Sequence, residues 1–277
     1  MENLVEISLD EAKEKMLEMM CYIDKVCREN NIKYSLAYGT LIGAIRHKGF
    51  IPWDDDMDIM LTRDNYDKLI EIIKKDDKYD FLDIRNGLLA NFSKICYKNT
   101  VGIEHTKFMK LPSEVDMGVY IDIFPIDNLP EKDYIKHRKK ILFYLKLLNS
   151  YSLKRYFCSK SSVRAIIKLF LFLPFCLYSK FFYNKEKIIN KINCLQIEFN
   201  NSNEDYVGIA SFGYFERYKK KWFNEYIDVK FEGYNFMLVK NYDSVIRVCY
   251  NDYMTIPSKK NRRIHLSYFK WYKKIPM

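Results

Sequence analysis

The chain reads as an α+β protein, an α/β start built into a mixed sheet with flanking helices, and three observations predict it. Helix, strand, short helix and strand patterns follow one another as far as Leu61. Further strand-like runs continue to about residue 130, and from Glu131 to about Asn200 the pattern turns helical and basic. A strand–helix–strand opening followed by more strands calls for a sheet with helices packed against it. The chain divides on this reading into a core over 1–130, a basic helical segment over 131–200, and a part over 201–277 that completes the substrate site. No internal repeat or low-complexity linker interrupts it.

Ser8-Leu9-Asp10-Glu11 forms a capping box, in which the serine and the glutamate three residues on satisfy N–H groups that a helix start leaves unpaired. Ala12, Met16, Met19, Met20, Ile23, Val26 and Cys27 follow at helical spacing, which predicts a helix to about Asn30. Ile32 to Ala37 reads as a short strand, Gly39-Thr40 as a turn, and Leu41 to His47 as a short helix that Gly49-Phe50-Ile51-Pro52 ends. Asp56 to Leu61 is the second strand, and Asp64 to Lys75 a further amphipathic helix. Strands are expected near Tyr79–Ile84, Phe92–Tyr97 and Thr100–Glu104, and again over Gly118 to Pro125, where Asp122 is embedded in apolar neighbours.

Within the helical region, Ala165 to Ser179 is nearly continuous in apolar residues, with Lys168 and Pro174 inside it and Arg164 and Lys180 at its ends. A spanning helix needs roughly 20 apolar residues, so this run is too short for a full crossing. It is either a buried, Pro-kinked core helix or a helix lying in a membrane interface with its basic residues facing lipid phosphates.

Of 277 residues, 48% are hydrophobic and 16% aromatic, enough for a sizeable core and against disorder. Seven cysteines, Cys21, Cys27, Cys96, Cys158, Cys176, Cys194 and Cys249, show no CxxC pair or regular spacing, which argues against a disulfide framework or zinc site. The acidic, amphipathic start is unlike a secretory signal, so the expected location is cytoplasmic, at most peripheral on the inner face of the membrane. The formal net charge of +10 is unevenly placed. Between Glu131 and Lys191 there are 15 Lys and Arg against 3 Asp and Glu, while the remainder holds 31 against 33. A basic segment of this kind suits an anionic membrane surface or a nucleic acid. For nucleic acid, the interleaving with aliphatic runs is unlike a stacking platform, so that partner fits poorly.

The chemistry concentrates between Tyr38 and Ile59, YGTLIGAIRHKGFIPWDDDMDI. Asp54, Asp55, Asp56 and Asp58 crowd four like charges into five residues, which destabilises them unless a cation neutralises them. Oxygen ligands at that density suit Mg²⁺, with Mn²⁺ as its substitute. If Met57 and Ile59 point into a core, Asp56 and Asp58 share one strand face. Asp122, costly to bury alone, can then face the same site and complete a metal-binding and catalytic set with Asp56 and Asp58. The plain alternatives are an acidic surface loop for the cluster and turn-forming roles for Asp122 and Asp127 around Pro125. Gly39 and Thr40 precede a helix start whose N–H groups can take a phosphate. Arg46, His47 and Lys48 add positive charge nearby, His47 being equally readable as a structural histidine.

These residues resemble the LicD family, whose members include phosphocholine transferases and fukutin-type transferases. The resemblance is carried by Gly39 to Ile59, by YIDIFPID (Tyr120 to Asp127), and by YNDYMTIPSKKNRRIH (Tyr250 to His265). It departs at Tyr250-Asn251-Asp252-Tyr253, where the family usually has a Tyr-Gly pair, and at Ile256-Pro257-Ser258, where two prolines are usual. The resemblance implies a nucleotidyltransferase-like mixed sheet. In that fold Gly39 and Thr40 form the turn, Asp56 and Asp58 the DxD strand, and Asp122 the third acid. It also implies a Mg²⁺-dependent phosphotransferase that moves phosphocholine from CDP-choline to a sugar hydroxyl of a surface glycan precursor, such as lipopolysaccharide or teichoic acid, releasing CMP. The acceptor would be lipid-linked. Arg262, Arg263 and His265 would bind phosphate, Arg being suited to bidentate contact, and Trp53 and some of the 23 tyrosines are candidates for a cage around a quaternary ammonium. Two alternatives stand beside this: another CDP-linked polyol phosphate or nucleotide as donor, and a non-catalytic, basic nucleic-acid-binding protein.

Overall fold

In the computed structural model the described residues are 3–105, 110–112, 117–151, 162–211, 216–262 and 269–275. Helix α1 (Leu9–Glu29) starts where the capping serine predicts, with Ser8 Oγ accepting the Glu11 N–H at 3.1 Å. Its apolar stripe, Ala12 to Cys27, is buried. Strand β1 (Asn3–Glu6) precedes it, a strand that the acidic start of the sequence did not suggest. After α1, the expected strand shrinks to β2 (Ser35–Leu36), and helix α2 (Tyr38–Ile42) begins before the expected turn, so Gly39 and Thr40 lie in its first turn. Tyr38 adopts φ +41° to make that abrupt change of direction. The helix then widens into a π-helical turn, Gly43–His47, closed by Lys48 in the left-handed region at φ 59°. Gly43 has to be glycine here, because a Cβ would overlap the Gly49 carbonyl oxygen.

Strand β3 (Asp58–Thr62) leads into α3 (Arg63–Lys75), and a meander of β4 (Asp80–Leu82) and β5 (Ser93–Cys96) follows. β6 (Thr100–His105) and β7 (Lys110–Pro112) precede the long β8 (Tyr120–Leu129). The basic middle folds as α4 (Tyr134–Ser150), α5 (Ser162–Phe182) and α6 (Lys185–Ile197). The C-terminal part supplies β9 (Tyr206–Gly208), β10 (Tyr218–Lys219), the hairpin β11 (Tyr226–Phe231) and β12 (Tyr234–Val239), α7 (Tyr242–Cys249) and β13 (Phe269–Ile275).

The principal sheet runs β10-β9-β8-β3-β2, with β5 also on β8 and β4 on β5. β3 and β8 pair in parallel, and the other pairs of this sheet are antiparallel, so the sheet is mixed and the fold α+β. A second sheet, β1-β13-β6-β7, joins the first and last strands. The pleat sends alternate residues of β3 and β8 to opposite faces. Ile59, Leu61, Ile121 and Ile123 pack with α1 and α3. Met60, Phe124 and Ile126 pack on the other side with Tyr218, Phe223 and Val239. Both faces are covered, which is why these strands read as continuous apolar runs.

Pro125, readable as a turn former, lies inside β8 instead. The Asp122 N–H faces β3, bonding the Met57 carbonyl at 2.9 Å. By alternation, position 125 faces the opposite edge. There, β5 pairs only with residues 120–123 and β9 only with 127–129. The proline's missing donor therefore falls in the gap between two neighbours. Asp127 is no turn former either: it takes a bidentate pair from Arg63 at 2.7 and 2.6 Å and a third bond from Asn200 at 2.7 Å.

The run Ala165 to Ser179 falls within α5. Its side chains at Cys176 and Ser179 are buried, but Ile166, Ile167, Phe170, Leu171, Leu173 and Leu177 are exposed, so it is not a core helix. Among the described residues, no helix is long and apolar enough to cross a membrane. The six described cysteines are free, Cys158 lying outside the described residues.

Burial opposes the Arg63 charge, but the bonds and charge of Asp127 outweigh it and hold the guanidinium ionised. Arg63→Met leaves a buried carboxylate without its cation and should lower the unfolding free energy by about 3–5 kcal/mol, read as a lower urea midpoint. Adding Asp127→Asn should recover part of that loss.

Candidate active site

The first motif wraps one end of β3. Thr40 is buried, and its Oγ1 accepts the Asp58 N–H at 2.8 Å, while the Ala37 N–H reaches the Asp58 carbonyl at 2.9 Å. The start of α2 thus pins the start of β3. The loop between them is fixed by a turn in which the Asp54 N–H bonds the Ile51 carbonyl at 2.9 Å, with Pro52 at the second position that suits its fixed φ. It is also tied to the hairpin β11–β12. Glu232 Oε1 accepts the Phe50 N–H at 3.0 Å, and the Glu232 N–H bonds the Lys48 carbonyl at 2.9 Å. Gly39 lies directly under this loop, where a Cβ would run into the Asp54 carboxylate.

The loop brings Asp54, Asp55 and Asp56 together, one carboxylate oxygen from each lying within 4.8 Å of the others. Met57 and Ile59 are fully buried, and Asp58 is buried at the strand's first position. Asp58 and Asp122 are direct register partners on the parallel pair β3–β8, so their side chains leave the sheet on one face. Burial first, and then the charges of Asp56, Asp122 and Asp54, push the Asp58 carboxyl well above the usual carboxylate range, with Lys94 pulling the other way. Acids from two stretches of chain, Asp54–Asp58 and Asp122, therefore converge on one place.

Lys94 was not among the residues that the sequence singled out. It is buried on β5, opposite Asp122 in register, with its Nζ on an Asp122 carboxylate oxygen. Its ammonium also lies 3.3 Å from the Tyr120 ring centroid and 5.4 Å from that of Phe92. The available signal was a lysine in an otherwise apolar run, FSKICY, which demands a buried partner.

The basic residues of the first motif face the third. Arg46 donates to the Tyr253 carbonyl at 2.5 Å and the Thr255 carbonyl at 3.3 Å, and through Nε to His47 Nε2 at 2.9 Å. Burial, then the Arg46 charge, hold His47 below its ordinary pKa, so it serves as a neutral acceptor. Arg262 stacks on Trp53, 4.0 Å from the ring centroid, and His47 meets the same ring edge-on at 6.4 Å. One face of Trp53 is thus already taken by a cation of the protein itself. Arg263 and His265 lie outside the described residues.

Tyr250 closes another side. Its hydroxyl is raised by burial and next by the charge of Asp58, with Asp54 and Glu216 adding to it. Glu216 is buried and accepts the Tyr38 hydroxyl at 2.7 Å.

This arrangement fits a divalent cation. The donors are carboxylate oxygens alone, a hard set suited to Mg²⁺ or Mn²⁺, and one member, Asp58, is raised by the burial and like charge that a cation would relieve. Asp54, Asp55 and Asp56 could hold an ion at the rim, with Asp58 and Asp122 deeper.

Residues 31–174 match the family model described as LicD/FKTN/FKRP, nucleotidyltransferase domain. The chain is 30% identical over 276 residues to the lipopolysaccharide cholinephosphotransferase LicD of Haemophilus influenzae (strain ATCC 51907 / DSM 11121 / KW20 / Rd), covering 94% of this chain and 96% of that one. It is also 28% identical over 125 residues to an uncharacterized protein of Rickettsia prowazekii, covering 44% and 42% of the two chains. A relative from Rickettsia typhi, also uncharacterized, is 30% identical over 106 residues, 38% of this chain and 28% of that one.

The raised Asp58 pKa has a signed consequence. The folded state binds its proton more tightly than the unfolded state, so stability falls as pH rises from the ordinary carboxylate range through the folded pKa. Without divalent ions at neutral pH, Asp58→Asn should therefore raise the thermal midpoint, and the difference should vanish in acid. Mg²⁺ should raise the midpoint of the parent by mass action and leave the variant nearly unmoved.

Proposed function

The chain belongs to the LicD family, and from that premise we propose that it is a divalent-metal-dependent transferase moving phosphocholine from CDP-choline to a sugar hydroxyl of a surface glycan precursor, with release of CMP. The acceptor in this reading is lipid-linked, and the enzyme works from the cytoplasmic side. The observation that carries the reading is the convergence of Asp54–Asp56, Asp58 and Asp122, with the Asp58–Asp122 register at its centre. The near full-length similarity to a lipopolysaccharide cholinephosphotransferase supports the choice of group transferred.

In this mechanism Asp56, Asp58 and Asp122 would hold Mg²⁺ or Mn²⁺, with Asp54 and Asp55 extending the set. When bound, such an ion would neutralise negative charge on the donor's phosphates. The acceptor hydroxyl oxygen attacks the choline-bearing phosphorus, the bond from that phosphorus to the oxygen shared with CMP breaks, and CMP leaves with the bonding pair. Asp122 takes the hydroxyl proton as general base. Lys94, bonded to the Asp122 carboxylate, holds that side chain at the site and places positive charge beside it. Gly39 keeps room for the Asp54 carboxylate, and Thr40 fixes Asp58 through its backbone. Arg262, braced on Trp53, offers a guanidinium fork to phosphate, with Arg263 and His265 as further contacts from the same segment. Arg46 and His47 hold that segment in place. Because one face of Trp53 is occupied, Tyr250 is the better candidate for the face that meets the quaternary ammonium.

The test is a donor screen with Mg²⁺ and a sugar acceptor, reading CMP release and the mass added to the acceptor. CDP-choline should add phosphocholine, and Asp56→Ala or Asp58→Ala should cut turnover by roughly 100-fold or more, each factor of ten costing about 1.36 kcal/mol. Wild-type turnover in either variant would sink the mechanism. A preference for a CDP-linked polyol would keep the fold and mechanism and change the donor.

A further inference from the structure

Away from the acids, α5 presents a surface that the transferase reading does not use. Ile166, Ile167, Phe170, Leu171, Leu177 and Phe181 recur at helical spacing, and Phe170, Leu171 and Phe181 are 75%, 69% and 81% exposed. A contiguous apolar stripe of this kind marks an interaction surface. The helix is fastened to the body from its C-terminal half. Ser150 and Ser179 share a hydroxyl hydrogen bond at 2.6 Å, the Tyr151 hydroxyl donates to the Ser179 carbonyl at 3.1 Å, and Phe143 on α4 meets Phe175 edge-on at 6.4 Å.

Phe143 also borders a cavity of about 1590 Å³ between α4 and α6, whose walls include Lys136, Lys139, Lys140, Lys191 and Arg217. Three acids, Glu131, Asp133 and Glu198, line it as well.

We propose that this face seats the protein on an anionic phospholipid bilayer, with α5 lying in the headgroup plane and the lysines of α4 and α6 meeting lipid phosphates. Charge decides between a bilayer and an uncharged apolar partner: the stretch from Glu131 to Lys191, which contains α5, carries 15 basic against 3 acidic residues. Length decides between lying and crossing, since no helix among the described residues is long and apolar enough to span. An amphipathic helix with basic flanks binds an interface by buried apolar area plus attraction to anionic lipid.

The full chain should co-sediment with vesicles of phosphatidylcholine mixed with phosphatidylglycerol, more weakly in high salt, and far less with phosphatidylcholine alone. Phe170→Glu with Leu171→Glu should release it. Lys139→Glu with Lys140→Glu should weaken binding by roughly tenfold or more, at about 1 kcal/mol for each basic residue near the surface. Both variants should keep the parent's thermal midpoint and its turnover with soluble donor, which separates this proposal from the catalytic one. Equal binding of the apolar-face variant overturns it. So does a concentration-dependent dimer that the same variant abolishes while vesicles are ignored, which would give the face to a second copy.

Discussion

The site depends on mutual repulsion among buried carboxylates. Asp58 and Asp122 are side by side because β3 and β8 pair in parallel in one register, and a loop tied down at both ends presses Asp54, Asp55 and Asp56 toward them. Desolvation and like charge both disfavour the ionised state of Asp58. Lys94 offsets part of this through Asp122. The fold carries an electrostatic cost at one end of its central strands, and a divalent ion is the agent best able to remove it. Catalytic sites are commonly where structural stability is given up in this way.

Much of this is legible in the sequence, and what is not has physical reasons. The period of α1 and its serine cap are local signals, and they place the helix to within a residue. The acids are legible because four carboxylates in five residues have no ordinary packing explanation, and Asp122 because an acid inside YIDIF needs a partner. Lys94 is harder, since a lysine on a short strand is usually solvated and only the register against Asp122 shows otherwise. Pro125 misleads in the same manner, because its tolerance depends on a gap between β5 and β9 that no local pattern encodes.

Longer-range pairings are the least legible. β1 and β13 join the two ends of the chain, Asn3 opposite Ile275, a pairing that no local pattern encodes. The helix starting at Tyr38 is hidden because its first residue takes a left-handed backbone that tyrosine seldom adopts. α5 reads ambiguously because an apolar run of its length is equally suited to a core or an interface. Only its exposure decides.

The bonds from Glu232 to the Lys48–Phe50 loop, and from Arg46 to Tyr253 and Thr255, bear on biosynthesis. A nascent chain on the ribosome exposes all its acids early, but the braces that shape them emerge only after residue 255 has cleared the exit tunnel. The arrangement of these acids therefore arrives late in translation, and a truncated product that stops short of these braces would carry the whole aspartate motif yet lack the framework that shapes it.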